Sequence, residues 1–197
     1  MEMSPKQSVF TPLETARLRL VLPDATDASR LLRYYEENKQ HFAPWQELRS
    51  DEYYTEAFWI AEIARLQEDF LNGRSLRLVL LDKFDAAGSI LGQCSLSNII
   101  RGAFQACYLG YSLHHQAVGK GLMSEALTAL IAYAFNDLRL HRIMANYMPS
   151  NERSARVLQR LGFQVEGYAR DYLFLAGRWQ DHIMTSLTNP SWSGSRE

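Results

Sequence analysis

The segment Tyr111-Ser112-Leu113-His114-His115-Gln116-Ala117-Val118-Gly119-Lys120-Gly121-Leu122-Met123 constrains this chain more than any other stretch. Before it, Phe104–Leu113 reads as a strand. After it, Leu122, Met123, Ala126, Leu127, Leu130, Ile131, Ala134 and Phe135 fall on one wide stripe, so Gly121–Phe135 reads as an amphipathic helix. A strand leading straight into such a helix buries its apolar residues only when the helix packs on a sheet. Gly119 and Gly121 let the connection adopt positive φ and let backbone approach a ligand closely. The first N–H groups of a helix have no partner inside it, and the helix dipole is positive there. Such an end suits a phosphate or pyrophosphate, and Lys120 adds a charge. A plain glycine turn accounts for these residues equally well when they are taken alone.

The rest of the chain supplies the sheet. Residues 1–12 read as a loose tail, and Arg17–Leu22 alternates as a half-buried strand. Asp24 can cap a helix running to about Asn38, and His41–Trp45 is a turn containing Pro44. Tyr53–Asn72 reads as a helix with an apolar set Phe58, Ile60, Ile63, Leu66 and Phe70, stopped by Gly73. Strands follow at Ser75–Leu81, Ile90–Ile99 and Phe104–Leu113, with a turn at Asp85-Ala86-Ala87-Gly88 between the first two. Arg142–Tyr147 is a short strand, and Asn151–Leu161 is a helix closed by Gly162. Phe163–Tyr172 and Arg178–Leu187 are strands around Ala176-Gly177. The order β-α-α-β-β-β-α-β-α-β-β predicts a single α+β domain over residues 13–192, a mixed sheet with helices packed on it, followed by a short tail at 193–197.

Charge and cysteine use narrow the function. Lys plus Arg number 21 against 22 for Asp plus Glu, a net charge of −1. No global positive field exists to hold nucleic acid or an anionic membrane, so neither is expected as a direct partner. No apolar run approaches the roughly 20 residues of a spanning helix, and the N-terminus lacks the pattern of a signal peptide. Cys94 and Cys107 are the only cysteines. Two thiols in a chain of 197 residues fit the reducing cytoplasm, and both read as buried small hydrophobes.

A second motif is Asn151-Glu152-Arg153-Ser154, on the helix ending Leu161-Gly162-Phe163. Asn151 and Ser154 lie three apart, on one face near the helix start. Asn151 also reads as an N-cap, and capping is compatible with ligand contact. Other phosphate motifs fail. A P-loop needs glycine five residues before the Gly-Lys pair and Ser or Thr after it, where His114 and Gly121 stand. A dinucleotide fingerprint needs a third glycine where Ser124 stands.

Together, Gln116-Ala117-Val118-Gly119-Lys120-Gly121 and Asn151-x-x-Ser154…Leu161-Gly162-Phe163 resemble the two motifs of the GNAT family of acetyl-CoA-dependent N-acetyltransferases. Asn98–Ser112, His141–Pro149, Glu166–Tyr172 and Gly177–His182 are similar to its RimJ/RimL subgroup, which acetylates N-termini of ribosomal proteins. The resemblance spans residues 13–192 and implies the GNAT fold, a central, mostly antiparallel, twisted sheet flanked by helices. It implies acetyl-CoA as cosubstrate and no metal. It implies, as acceptor, the N-terminal alanine amine of a small-subunit ribosomal protein, with association with the ribosome left open. Leu113, Gln116, Val118, Gly119, Lys120, Gly121, Leu122, Asn151 and Ser154 would line the cofactor.

The catalytic residues depart from the family pattern. The Glu that many members carry before the glycine loop is here Tyr108, a poor base with an ordinary pKa of about 10. Asp171 and Glu166 are the next carboxylates expected to face the cleft. The Tyr that many members use to protonate the departing thiolate is here Leu158, so Ser154, one turn earlier, is the nearest hydroxyl. Tyr108, Asp171 and Ser154 are therefore the catalytic candidates, with water able to replace the base or the acid. Adjacent strand residues point oppositely, so His114 and His115 are not expected to form a metal pair. The resemblance implies that Tyr34, Tyr35, Asn38, His41, Phe42 and Trp45 wall the acceptor cleft, whereas the residues alone also read as aromatic core and turn packing, and nearby Glu36, Glu37, Glu47, Asp51 and Glu52 read as attractors of a basic tail or a solvated face. Acetylation of a small amine, or a CoA-binding assembly factor with little catalysis, remain alternatives.

Overall fold

Alternation along Leu76–Asp82 sets the layers. Leu76, Leu78 and Leu80 join one buried cluster and Val79 the other, together with Leu81. A strand buried on both faces needs a helical layer on each side. The computed structural model, which describes residues 10–85 and 87–193, has that arrangement.

The strands are β1 (Leu13–Glu14), β2 (Leu18–Val21), β3 (Leu76–Asp82), β4 (Gly92–Ile100), β5 (Ala106–Leu113), β6 (Arg142–Tyr147), β7 (Gln164–Leu175) and β8 (Arg178–Thr188). The helices are α1 (Ala28–Glu37), α2 (Lys39–Phe42), α3 (Glu56–Leu71), α4 (Leu122–Asn136) and α5 (Glu152–Arg160). The sheet order is β1-β2-β3-β4-β5-β6-β8-β7. Neighbours are antiparallel except β5 and β6, which run parallel. The result is the mixed, mostly antiparallel sheet that the resemblance implies.

One core lies between the sheet and α4, where Leu122, Met123, Ala126, Leu127, Leu130 and Ala134 meet Cys94, Leu96, Cys107 and Ile143. The other packs α1 and α3 on the opposite face through Leu31, Tyr34, Tyr35, Trp59 and Ile63. Tyr35 stacks on Trp59 with ring centroids 4.7 Å apart. Burial pushes the thiol of Cys94 well up and that of Cys107 up to about 12, so both behave as hydrophobes.

Several boundaries differ from the sequence reading. The apolar face of α3 is Trp59, Ile63 and Leu66, whereas Ile60 is half exposed. The helical period that puts Trp59 inward turns Ile60 outward. A strand at β1 and the short α2 were too brief for periodicity to reveal. Phe10, inside the stretch read as a tail, packs edge-on against Phe70 and Tyr133. Residues 1–9, Ala86 of the expected Asp85–Gly88 turn, and 194–197 lie outside the described residues.

Candidate active site

Strands β5 and β6 pair only through Ala106–Arg142, Cys107–Ile143 and Tyr108–Met144. Beyond Tyr108, β5 stays bonded to β4 as far as Leu113, and β6 stays bonded to β8 as far as Tyr147. The sheet therefore splits, leaving a wedge between Leu109–Leu113 and Ala145–Tyr147. Strand β5 leads into α4 and β6 leads into α5, so two helix N-termini stand at the mouth of the split.

The approach to α4 is built for an anion. His114 Nδ1 accepts a hydrogen bond from the Gln116 N–H at 3.2 Å and caps a 3-10 turn at His115–Ala117. Val118 is extended, and Gly119 and Gly121 then take φ of +83° and +76°, a region costly for any residue with a Cβ. Gly121 is the N-cap of α4 and has no side chain to satisfy the first N–H groups. A Cβ on Gly119 would meet nothing within 4 Å, so the cradle is open to a ligand. Lys120 is exposed, while the Leu122 side chain is buried and leaves only backbone for contact. This donor set fits a pyrophosphate. Glu125, in the first turn of α4, is turned away onto Thr15 and Arg17. Burial opposes its ionisation, but hydrogen bonds from Thr15 and Arg17 hold its carboxyl below the ordinary range.

At α5, Asn151 is the N-cap and its Oδ1 accepts from the Ser154 N–H at 3.1 Å. Ser154 Oγ lies 2.7 Å from the hydroxyl of Tyr111, which reaches across the split from β5. Burial pushes the Tyr111 phenol up to about 12, with the Ser154 hydrogen bond opposing the shift, so it stays protonated at neutral pH. Tyr111 was missed in the sequence; its only signal was a polar atom on the strand face shared by Cys107, Leu109 and Leu113. Leu158 is fully buried in the core.

The other candidates sit apart from Ser154. Tyr108 lies three residues before Tyr111 and so on the opposite strand face. It lies near Tyr172, whose hydroxyl accepts from Asn146 Nδ2 at 3.2 Å. Asn146 Oδ1 is buried without a partner. Asp171 is exposed in an irregularity of the β7–β8 ladder, at φ +48°, and its N–H donates to Asp181 Oδ1 at 2.9 Å. Glu166, expected to face the cleft, instead accepts from Ser186 Oγ at 2.7 Å and pairs with Arg142. These contacts hold its carboxyl below the usual range and occupy both oxygens.

On the face of α1 and α3, a cavity of about 490 Å³ is lined by Tyr35, Glu47, Tyr53, Glu62, Gln93 and Ser112 among others. Tyr34 and Phe42 are core residues, although the Tyr34 hydroxyl bonds Ser112 Oγ at 2.9 Å. Asn38 Oδ1 accepts the His115 N–H at 2.8 Å and ties α1's end to the loop. The rings of His114 and His115 stack at 4.5 Å and do not point oppositely, because the strand ends at Leu113. Among the described residues, no group of three or more His, Cys, Asp or Glu is placed to hold a metal ion. No helix among them is long and apolar enough to cross a membrane.

Residues 17–164 match the acetyltransferase (GNAT) domain family. The chain is 45% identical over 184 residues to the [ribosomal protein uS5]-alanine N-acetyltransferase of Escherichia coli K12, covering 93% of this chain and 94% of that one. The ribosomal-protein-S5-alanine acetyltransferase of Vibrio fischeri superposes with a TM-score of 0.89 at 38% identity, over 94% of this chain and all of the other. Mycobacterium smegmatis RimJ, solved in complex with CoA-disulfide, gives a TM-score of 0.84 at 26% identity, over 94% of this chain and 89% of that one. A split mixed sheet with an open glycine cradle, matched along nearly its whole length, makes this chain a member of the GNAT family of N-acetyltransferases.

Proposed function

We propose that this protein transfers the acetyl group of acetyl-CoA to the α-amine of the N-terminal alanine of the small-subunit ribosomal protein uS5. The observation that carries this reading is the near full-length likeness to the E. coli enzyme of that activity. The acceptor is met free or on the ribosome, in the cytoplasm where ribosomal proteins are made.

The geometry supports a route for the reaction. Val118, Gly119, Lys120, Gly121 and Leu122 offer the pyrophosphate backbone N–H groups and one charge, Gln116, whose N–H is taken by His114, adds its exposed side chain, and Asn151 shapes the start of α5 beside it. The acyl arm lies in the split, with the Leu113 backbone facing the thioester oxygen. The amine arrives from the opposite sheet face, through the cavity beneath α1 and α3. Its ordinary pKa, about 7.7–8.0, leaves a useful neutral fraction near pH 7, so water suffices as base. Tyr108 stands on that face near Tyr172, and Asp171 is the carboxylate through which the water passes its proton to solvent. The amine lone pair attacks the thioester carbon, and the thiolate leaves as the carbonyl reforms. Ser154, backed by the protonated Tyr111, donates to the departing sulfur.

The test is incubation with acetyl-CoA and an alanine-starting uS5 peptide, read by intact mass. One acetyl group per peptide is expected. The same peptide pre-acetylated at its N-terminus but carrying free lysines should gain none. Continued lysine modification at a similar rate would refute N-terminal specificity.

A further inference from the structure

Arg17 stands in the turn between β1 and β2, far in sequence from the glycine loop, yet its guanidinium reaches it. Arg17 NH1 donates to the carbonyl oxygen of Lys120 at 2.9 Å. Its Nε donates to Glu125 Oε2 at 2.7 Å, and NH2 pairs with the same oxygen at 2.6 Å. The other carboxylate oxygen, Oε1, accepts from Thr15 Oγ1 at 2.6 Å and from the Arg17 backbone N–H at 2.8 Å. The side chain is about half exposed, so this is no core contact. A Cβ placed on Gly121 would meet only Arg17 NH2, at 3.6 Å.

We propose, building on the acetyl-CoA reading above, that Arg17 is a positioning residue that aims the Gly121 N–H at the pyrophosphate. The carbonyl of Lys120 and the N–H of Gly121 belong to one planar trans peptide, so they point in opposite directions. Arg17 holds the carbonyl on its own side and thereby turns the N–H away, toward the open side of the cradle. The left-handed φ of Gly121 accommodates that plane. Arg17 has a second effect. A carboxylate in the first turn of α4 would repel an anionic ligand, and Arg17 with Thr15 draws Glu125 aside and neutralises it.

The experiment compares wild type, Arg17→Gln and Arg17→Lys for acetyl-CoA affinity by calorimetry and for kcat and KM with the uS5 peptide. Arg17→Gln should weaken acetyl-CoA binding about tenfold, the effect of losing a hydrogen bond to a charged donor. Its kcat at saturating acetyl-CoA and its KM for peptide should stay within about twofold, because transition-state contacts are untouched. Arg17→Lys keeps the charge beside Glu125 but loses the fork to Lys120, so it should also bind acetyl-CoA more weakly. Circular dichroism and Tm separate folding from binding. Unaltered acetyl-CoA affinity in both folded variants, with only Tm lowered, would overturn the proposal and make Arg17 a structural clamp. Wild type that binds no acetyl-CoA would overturn the underlying reading as well.

Discussion

On the proposed mechanism, replacing Ser154 by Ala should lower kcat about tenfold with little change in KM for acetyl-CoA. General acid catalysis usually contributes 10²–10⁴-fold. A thiol's ordinary pKa, about 8.5, makes its anion a good leaving group near neutral pH, which pulls the expected effect to the low end. A hydrogen bond to a charged group contributes about 1.5–3 kcal/mol, and tenfold in rate is about 1.4 kcal/mol. Tyr111, whose hydroxyl lies 2.7 Å from Ser154 Oγ and whose phenol burial pushes up to about 12, acts through Ser154 and not in its place. In the Ser154→Ala enzyme that phenol still holds a proton and loses its partner within the split.

The pair therefore predicts non-additivity. Tyr111→Phe alone should also cost about tenfold in kcat, and the double variant about 10- to 30-fold, because both hydroxyls serve one proton. The assay is steady-state release of CoA thiol with the uS5 peptide, with each variant checked by circular dichroism. Independent losses that multiply to about 100-fold would refute the shared-donor argument. A change confined to KM would make Ser154 a cofactor contact alone, and no change in either constant would leave water as the proton source.

Gly121→Val should weaken acetyl-CoA binding strongly in a folded protein, since a branched residue at φ +76° costs about 1–2 kcal/mol and pulls the loop backbone out of the conformation that aims its N–H groups; undiminished affinity by calorimetry would contradict the loop assignment. Glu166→Gln tests the carboxylate taken out of the cleft. Its folded pKa is lowered, so its contribution is present above the unfolded value of about 4.3 and is lost as pH falls through the folded one. The variant should lose less than about 1 kcal/mol at neutral pH, the pair being partly exposed, and should match wild type in acid, with an unchanged pH–rate profile. A displaced profile would return Glu166 to the proton path.

What could be read from the sequence was local. The glycine loop, the α4 stripe and the Asn151 cap each lie within one strand-to-helix passage, where spacing alone dictates geometry. What escaped was set by contacts between distant segments. Arg17 and Glu125 are 108 positions apart, and Tyr111 and Ser154 are 43 apart. A tyrosine on a strand gives no sign of whether it packs or reaches across a gap. Glu166 misled for a related reason. Its strand position was right, but only the fold brings Arg142 and Ser186 to its side chain. The stacked His114 and His115 show the same limit at shorter range, since strand alternation stops one residue before them.

The location of the chemistry follows from topology more than from any one residue. In an antiparallel pair the chain enters one strand where it leaves the other, so only one of the two ends at a given edge. A parallel pair brings both carboxyl ends to the same side, and each continues into a helix whose N–H groups face the same space. This sheet has one such pair among its described strands, β5 and β6, and it opens there. Bonds to β4 and β8 keep the two strands ordered after they separate, so the split widens without fraying. Its α4 and α5 side offers anion-binding backbone and the Tyr111–Ser154 donor pair. Its α1 and α3 side offers a cavity lined by Glu47 and Glu62 together with Arg49, Arg65 and Arg77, and no glycine cradle. In the proposed reaction the negatively charged acyl donor and the amine would therefore approach from opposite faces and meet in the gap.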